Sequence, residues 1–353
     1  MINVKKIVLK KPGHVVIEDD EIPKLKKNEV LVEVKCVSLC GSDYKLYNGS
    51  YDAPHIYPLV MGHEWSGIVV TVNDDEKVFS PGDKVTGECS MWCGKCLNCY
   101  KDKNFCSNIE KFGITRDGFA AQYQIMDKRY LYKAPPQIDY DVLALAEPLA
   151  VALHGIRRIE KTGTLIRQKV AIIGGGTIGM CIYLFLKDHY KVKNVVIFEK
   201  DSVKANFLRE TFVAKVCDDN NLVENASYHS IYQNGDFDIA FEASGTSKGI
   251  MQAANLLKIQ GHLCLYGLGK NYNADMRIVV LKGLHIIGTI GGSGEFKTVI
   301  QFITANSERV RKLITKRRYY TKVKKMLAYV SADGEPILKQ QIYFDKDEDK
   351  RKL

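Results

Sequence analysis

Five cysteines fall within residues 89–106, CSMWCGKCLNCYKDKNFC. Cys93, Cys96 and Cys99 are each separated by two residues, and Cys106 lies seven beyond. Thiolates at this spacing turn toward one tetrahedral ion, and four of them close its shell and leave no place for a substrate. The chemistry implied is structural, a zinc ion that pins a loop. Cys89 competes as a ligand, so spacing alone leaves the quartet open. Disulfides are disfavoured, because the first residues, MINVKKIVLKKPGHVVIEDDEIP, are charged and strand-like and hold no apolar export segment.

A second set of donors is scattered. VSLCGSDYK contains Cys40, VMGHEWSG contains His63 and Glu64, and LAEPLAVALHG contains Glu147. A catalytic zinc needs three protein ligands and one open position. Each of these residues taken singly is ordinary, and only their coexistence suggests such a site.

A third signal is GGGTIG, which places Gly174, Gly176 and Gly179 in G-x-G-x-x-G spacing. It follows the apolar run KVAII and opens a helical pattern, the context in which the spacing has meaning. Gly174 permits a tight turn, Gly176 lets backbone approach a pyrophosphate, and Gly179 allows close packing of helix on strand. Thr177 and Ile178, at the start of that helix, present N–H groups and positive potential to the phosphates. Glu199 stands twenty residues past Gly179, placed to bind a ribose 2′-hydroxyl and to repel a 2′-phosphate. That favours NAD(H), while Lys200 beside it keeps NADP(H) open.

These residues need elements to hold them. The first 145 or so residues are β-rich, with EVLVEVKCVSL and WSGIVVTV as β-branched runs and SPGDKV and RDGF as turns. Near Asp141 the pattern becomes helical. KVAII, NVVIFEK, DIAFEASG and GHLCLYGLG then recur with room for helices between them, which predicts an α/β unit with a parallel sheet. The chain of 353 residues suits two domains. The uncharged run Val170–Leu186 is too short and too glycine-rich at its start to span a bilayer. A soluble, cytoplasmic protein with no membrane partner is expected.

The net charge of +10 is uneven, since Ser307–Lys325 carries nine basic residues and one acidic. Such a stretch reads first as a solvated helix face, then as a basic rim that concentrates an anionic substrate, and last as a nucleic-acid contact.

Taken in order, Cys40-Gly-Ser-Asp, Gly-His63-Glu64, the four-cysteine lobe, Glu147-Pro-Leu-Ala and the Gly174–Gly179 turn resemble the zinc-dependent medium-chain dehydrogenases. The similarity is closest to the polyol (sorbitol-type) and threonine dehydrogenase branch, and it covers nearly the whole chain. It implies a GroES-like catalytic domain over residues 1–147, completed by 288–353, and an inserted Rossmann domain over 148–287, with the active site in the cleft. It implies two zinc ions per chain. Cys40, His63 and Glu147 match ligands of the catalytic ion, and Glu64 matches a carboxylate that binds it or moves onto it. Cys93, Cys96, Cys99 and Cys106 match the structural lobe, to the exclusion of Cys89. Ser42 matches a relay hydroxyl, and Asp43 a carboxylate that orients the His63 ring. The family's assembly implies a homodimer or homotetramer.

The position five residues past the ligand cysteine, usually histidine in this branch, is Lys45. A lysine is a poor proton shuttle near neutral pH and a good anion partner, which points to a phosphorylated substrate. HGIRRIEK (154–161) and MRIVVLKGLHIIGTIGGSGEF (276–296) resemble, more weakly, the ribitol-5-phosphate dehydrogenases, which reduce ribulose 5-phosphate. Arg157 and Arg158 are expected near the cleft or facing solvent, and His154 in helix packing. The expected activity is hydride transfer between NAD(P)(H) and a secondary alcohol of a polyol, or of a pentitol phosphate such as ribitol 5-phosphate. The alternatives are a threonine-type amino-alcohol dehydrogenase and a non-catalytic zinc protein that binds nucleotide or nucleic acid.

Overall fold

The computed structural model describes residues 3–22, 24–73, 78–163, 165, 168–218, 227–233, 235–269, 272–328 and 336–345. The chain divides into two units, one of Met1–Ala150, Gly291–Asp333 and Ile337–Leu353, the other of Val151–Ile290 with Gly334–Pro336.

The first unit is built on β1 (Glu29–Leu39), whose β-branched residues bury both faces at its C-terminal end. Helix α1 (Gly41–Asn48) follows at once. β2 (Glu64–Asn73) runs antiparallel to β1, with Glu64 opposite Ser38. The strand Lys339–Tyr343 pairs with β1 too, placing Gln340 opposite Leu39. Together with Lys84–Gly87, Tyr123–Asp127, Leu131–Lys133 and Ile314–Tyr319 they form a seven-stranded sheet. Trp65 is fully buried and stacks on Phe119 with ring centroids 4.0 Å apart. Helix α2 (Ala146–Glu160) starts in this unit.

In the second unit, β3 (Lys169–Ile173) lies between β4 (Asn194–Phe198) and β5 (Phe237–Glu242), all parallel. Val216–Cys217 extends the sheet beyond β4, and Leu257–Leu265 and His285–Gly288 extend it beyond β5, giving six parallel strands. Helix α3 (Thr177–Leu184) leaves β3 through the glycine turn. The short, almost wholly buried strands fit a parallel sheet covered on both faces. This is the doubly wound α/β architecture expected from the alternation of apolar runs. Among the described residues no helix is long and apolar enough to cross a membrane.

The basic stretch Ser307–Lys325 is not one solvated helix face. It covers the end of the helix Phe296–Arg311, the strand Ile314–Tyr319 and the short helix Val323–Leu327. Arg311 pairs with Asp139 at 2.6 Å and also with Asp141, and Arg317 lies 3.7 Å from Asp141. Part of the charge therefore anchors this segment to the start of the short helix Tyr140–Leu143.

Candidate active site and metal centres

The cysteine lobe is assembled. The sulfur atoms of Cys93, Cys96, Cys99 and Cys106 all lie within 4.8 Å of one another. Individual separations are 3.4 Å for Cys96–Cys99, 3.6 Å for Cys93–Cys106, 3.9 Å for Cys96–Cys106 and 4.0 Å for Cys93–Cys99. A tetrahedron with zinc–sulfur bonds of about 2.3 Å has edges of about 3.8 Å, so the four donors fit that ion. Backbone N–H groups near Ser107 and Cys99 lower the Cys96 thiol to about 5, whereas burial and sharing with Cys96 push Cys99 up to about 12. Cys89 stays outside the quartet. Its sulfur lies 3.5 Å from Ser90 Oγ and hydrogen-bonds with Glu147.

Three further donors converge within the first unit. Cys40 Sγ, a His63 ring nitrogen and a Glu64 carboxylate oxygen lie within 4.8 Å of one another, although they belong to the residue before α1, the loop before β2 and the first residue of β2. Asp43, at the third position of α1, accepts from the Cys40 backbone N–H at 2.8 Å and fixes the turn that presents the sulfur. It makes no hydrogen bond to His63: Asp43 Oδ1 and His63 Nδ1 are both buried without a partner among the described residues. The Asp43 carboxylate nevertheless acts on the ring electrostatically. Ser42 Oγ lies 3.4 Å from His63 Nε2, and Lys45 is exposed in the last turn of α1.

Burial would lower the His63 pKa, but the Cys40 sulfur, then Asp43 and Glu147, drive it up to about 10. A buried imidazole held this strongly toward its charged form marks surroundings short of one positive charge. Thiolate, imidazole and carboxylate at this spacing suit zinc, which would supply that charge and displace the proton. Glu147, buried at the start of α2, is close enough to affect His63 but does not join the trio, and burial pushes its carboxyl up. Its hydrogen bond is to Cys89.

The residue no local signal revealed is Lys339. Its ammonium lies 2.8 Å from Glu64 Oε1 and 2.7 Å from Oε2, and donates to Leu39 O at 3.2 Å. Lysine and glutamate are both almost wholly buried, at 3% and 1% side-chain exposure. Their positions are 275 apart in sequence, and only the pairing of β1 with Lys339–Tyr343 brings them together. The structure thus shows Glu64 in an ion pair at the edge of the donor set.

In the second unit a cavity of ≈ 660 Å³ opens over the glycine turn and the ends of β4 and β5. Gly174 has φ +96, a left-handed backbone that glycine adopts without strain. A Cβ on Gly179 would sit 1.9 Å from Gly174 O, whereas one on Gly176 would meet open space. Those constraints fit a phosphate cradle, in which helix α3 starts beneath bare backbone. Thr177 and Ile178 begin α3 and stand outside the cavity wall. Glu199 and Lys200 line it. Glu199 is buried, accepting from Gly175 N at 2.9 Å and from Asp201 N at 3.0 Å. The opposite wall is held by Glu242, which accepts from Ser244 N at 2.8 Å and Gly245 N at 3.0 Å. Arg157, Arg158 and the buried His154 lie on α2.

Residues 26–136 match the alcohol dehydrogenase GroES-like domain, and residues 177–305 match the zinc-binding dehydrogenase domain. The chain belongs to the zinc-dependent medium-chain dehydrogenase/reductase family. It is an oxidoreductase of CH–OH groups, with a GroES-like domain and a Rossmann domain. It is 28% identical over 275 residues to an L-threonine 3-dehydrogenase of Colwellia psychrerythraea, covering 77% of this chain and 79% of that one. Among solved structures, galactitol-1-phosphate dehydrogenase from Escherichia coli superposes with a TM-score of 0.82 at 23% identity, over 96% of this chain and 99% of that one. A zinc-binding dehydrogenase from Sinorhizobium meliloti bound to NADP superposes at 0.83 and 23% identity, over 97% and 100%.

Proposed function

We propose that this dehydrogenase interconverts a secondary alcohol and a ketone on a polyol, with a pentitol phosphate such as ribitol 5-phosphate as the leading substrate. The observation that carries the reading is the convergence of half-buried Cys40 with buried His63 and Glu64, from separate elements, onto one point. Cys40 and His63 would hold the catalytic zinc, with Glu64 or Glu147 as the further protein ligand, and the cysteine lobe would hold the structural ion. When bound, zinc supplies Lewis-acid polarisation of the substrate oxygen, and the nicotinamide dinucleotide supplies or takes the hydride.

The chain's own residues do the rest. Ser42 Oγ, beside His63 Nε2, takes the alcohol proton on the way to solvent. Asp43 keeps Cys40 in place through its backbone N–H. Lys339 holds Glu64 by its charge, so Glu64 reaches a metal only by giving up that pair. Glu147 is retained by Cys89 and exposed to the same choice. Lys45, exposed on the helix that begins at the Cys40 turn, supports an anionic substrate. We take the protein to be cytoplasmic and to assemble as a homodimer or homotetramer.

A threonine-type amino-alcohol dehydrogenase is the second reading, favoured by the L-threonine 3-dehydrogenase relatives and opposed by the charge of Lys45, which repels a substrate ammonium. NAD(P)H absorbance on ribitol 5-phosphate, ribulose 5-phosphate, free ribitol and L-threonine separates the two. Turnover confined to the phosphorylated pair supports the leading substrate, and turnover confined to threonine replaces it.

A further inference from the structure

The carboxylate expected to select against a 2′-phosphate is engaged elsewhere. Glu199 accepts one backbone N–H on each oxygen, from Gly175 at 2.9 Å and Asp201 at 3.0 Å. Lys204 Nζ lies 3.5 Å from its Oε2 and offsets its charge. With a side-chain exposure of 7%, the carboxylate presents little of itself to the cavity.

What the cavity does present is cationic. Lys200, Lys204 and Lys248 all line it, with Ser244, Thr246 and Ser247 between them. Lys200 and Lys248 are exposed and enter no ion pair or hydrogen bond among the described residues. Glu199 is the one acidic residue in the same wall. Three ammonium groups against one internally bonded carboxylate leave a net positive rim beside the end of β4, where the adenosine ribose of a bound dinucleotide lies in a doubly wound sheet. A phosphate monoester carries about two negative charges near neutral pH and is strongly attracted to such a rim.

We infer that this cavity is an NADP(H) site in which Lys204 and Lys248, flanked by Lys200, receive the 2′-phosphate, while Glu199 shapes the glycine turn and does not read the ribose. The inference rests on the dehydrogenase reading for the presence of a dinucleotide, and it reverses the cofactor preference that Glu199 suggests in the sequence. Ser244 Oγ donates to Glu242 and lies 3.0 Å from Thr246 Oγ1, so these hydroxyls tie down the loop at the rim and the lysines supply its charge.

Equilibrium binding tests this without turnover. NADPH and NADH are titrated by nicotinamide fluorescence, and 2′,5′-ADP and 5′-AMP by calorimetry, at low and high salt. NADPH should bind at least about tenfold tighter than NADH, the yield of one charge-assisted contact, with a gap that narrows as salt screens the lysines. Lys204→Ala and Lys248→Ala should each cut that gap several-fold, because each weakens NADPH binding more than NADH binding. NADH binding as tightly as NADPH, or a gap that neither substitution moves, overturns the inference and leaves the dehydrogenase reading standing. If no dinucleotide binds, that reading falls and takes the inference with it.

Discussion

At the residue scale the site is defined by charge imbalance. His63 is buried among Cys40, Asp43 and Glu147, and its pKa of about 10 lies well above the ordinary histidine value. Without a metal, the protonated ring contributes stability fully below about pH 6.5, and that contribution is lost as pH rises through about 10. Zinc binding has the opposite sign, because it requires the neutral ring and deprotonated thiols, so affinity rises with pH. At pH 8, loading both metal positions should release about two protons or more per chain, at least one from His63 and one from the cysteine lobe, where Cys99 is held near 12. A pH-indicator dye in weak buffer reads this directly, and zinc uptake without proton release would refute the charge argument. Lys339→Met leaves Glu64 buried without its partner. It should cost about 3–5 kcal/mol in the zinc-free protein and less once zinc is bound, since the freed carboxylate then has a cation to turn to. Denaturant melts with and without zinc measure the difference, and an equal loss in both forms would show that Glu64 never moves toward the metal.

At the element scale, function depends on where strands end and helices begin. Cys40 occupies the junction of β1 and α1, His63 and Glu64 the entry to β2, and the glycine turn the passage from β3 to α3. These junctions were legible because their residue types are constrained. Gly179 has to be glycine, as a Cβ there would overlap the Gly174 carbonyl at 1.9 Å. Gly179→Ala should therefore destabilise the protein by roughly 1–3 kcal/mol through forced backbone movement and weaken dinucleotide binding. Thermal melts and nicotinamide fluorescence monitor both effects, and unchanged cofactor affinity would mean that the turn does not cradle phosphate. Lys339 was not legible. A lysine within LKQQIY carries no sign that its strand will lie against β1, and strand register across the whole length of a chain is set by packing, not by local spacing. The direction of the Glu199 carboxylate was hidden for a similar reason. Its place after β4 could be read, but its bonds to Gly175 and Asp201 depend on the turn it faces.

At the scale of the whole molecule, the alternation of short apolar runs with helical spacers announced the parallel sheet, because only a sheet covered on both faces tolerates such runs. The excess positive charge was a poorer guide. Arg311 and Arg317 in the basic stretch are committed to Asp139 and Asp141, so the run of cations is partly an internal brace. The proposed metal chemistry divides between a lobe of four sulfurs, which would close a shell, and a mixed donor set, which would leave one position open. Zinc content by elemental analysis of metal-saturated, extensively dialysed protein tests that division most directly. The wild type should hold two zinc ions per chain, and Cys40→Ser should hold one, lose turnover and still bind dinucleotide. A wild type with a single ion, or a Cys40→Ser variant that keeps two ions and full activity, would contradict it.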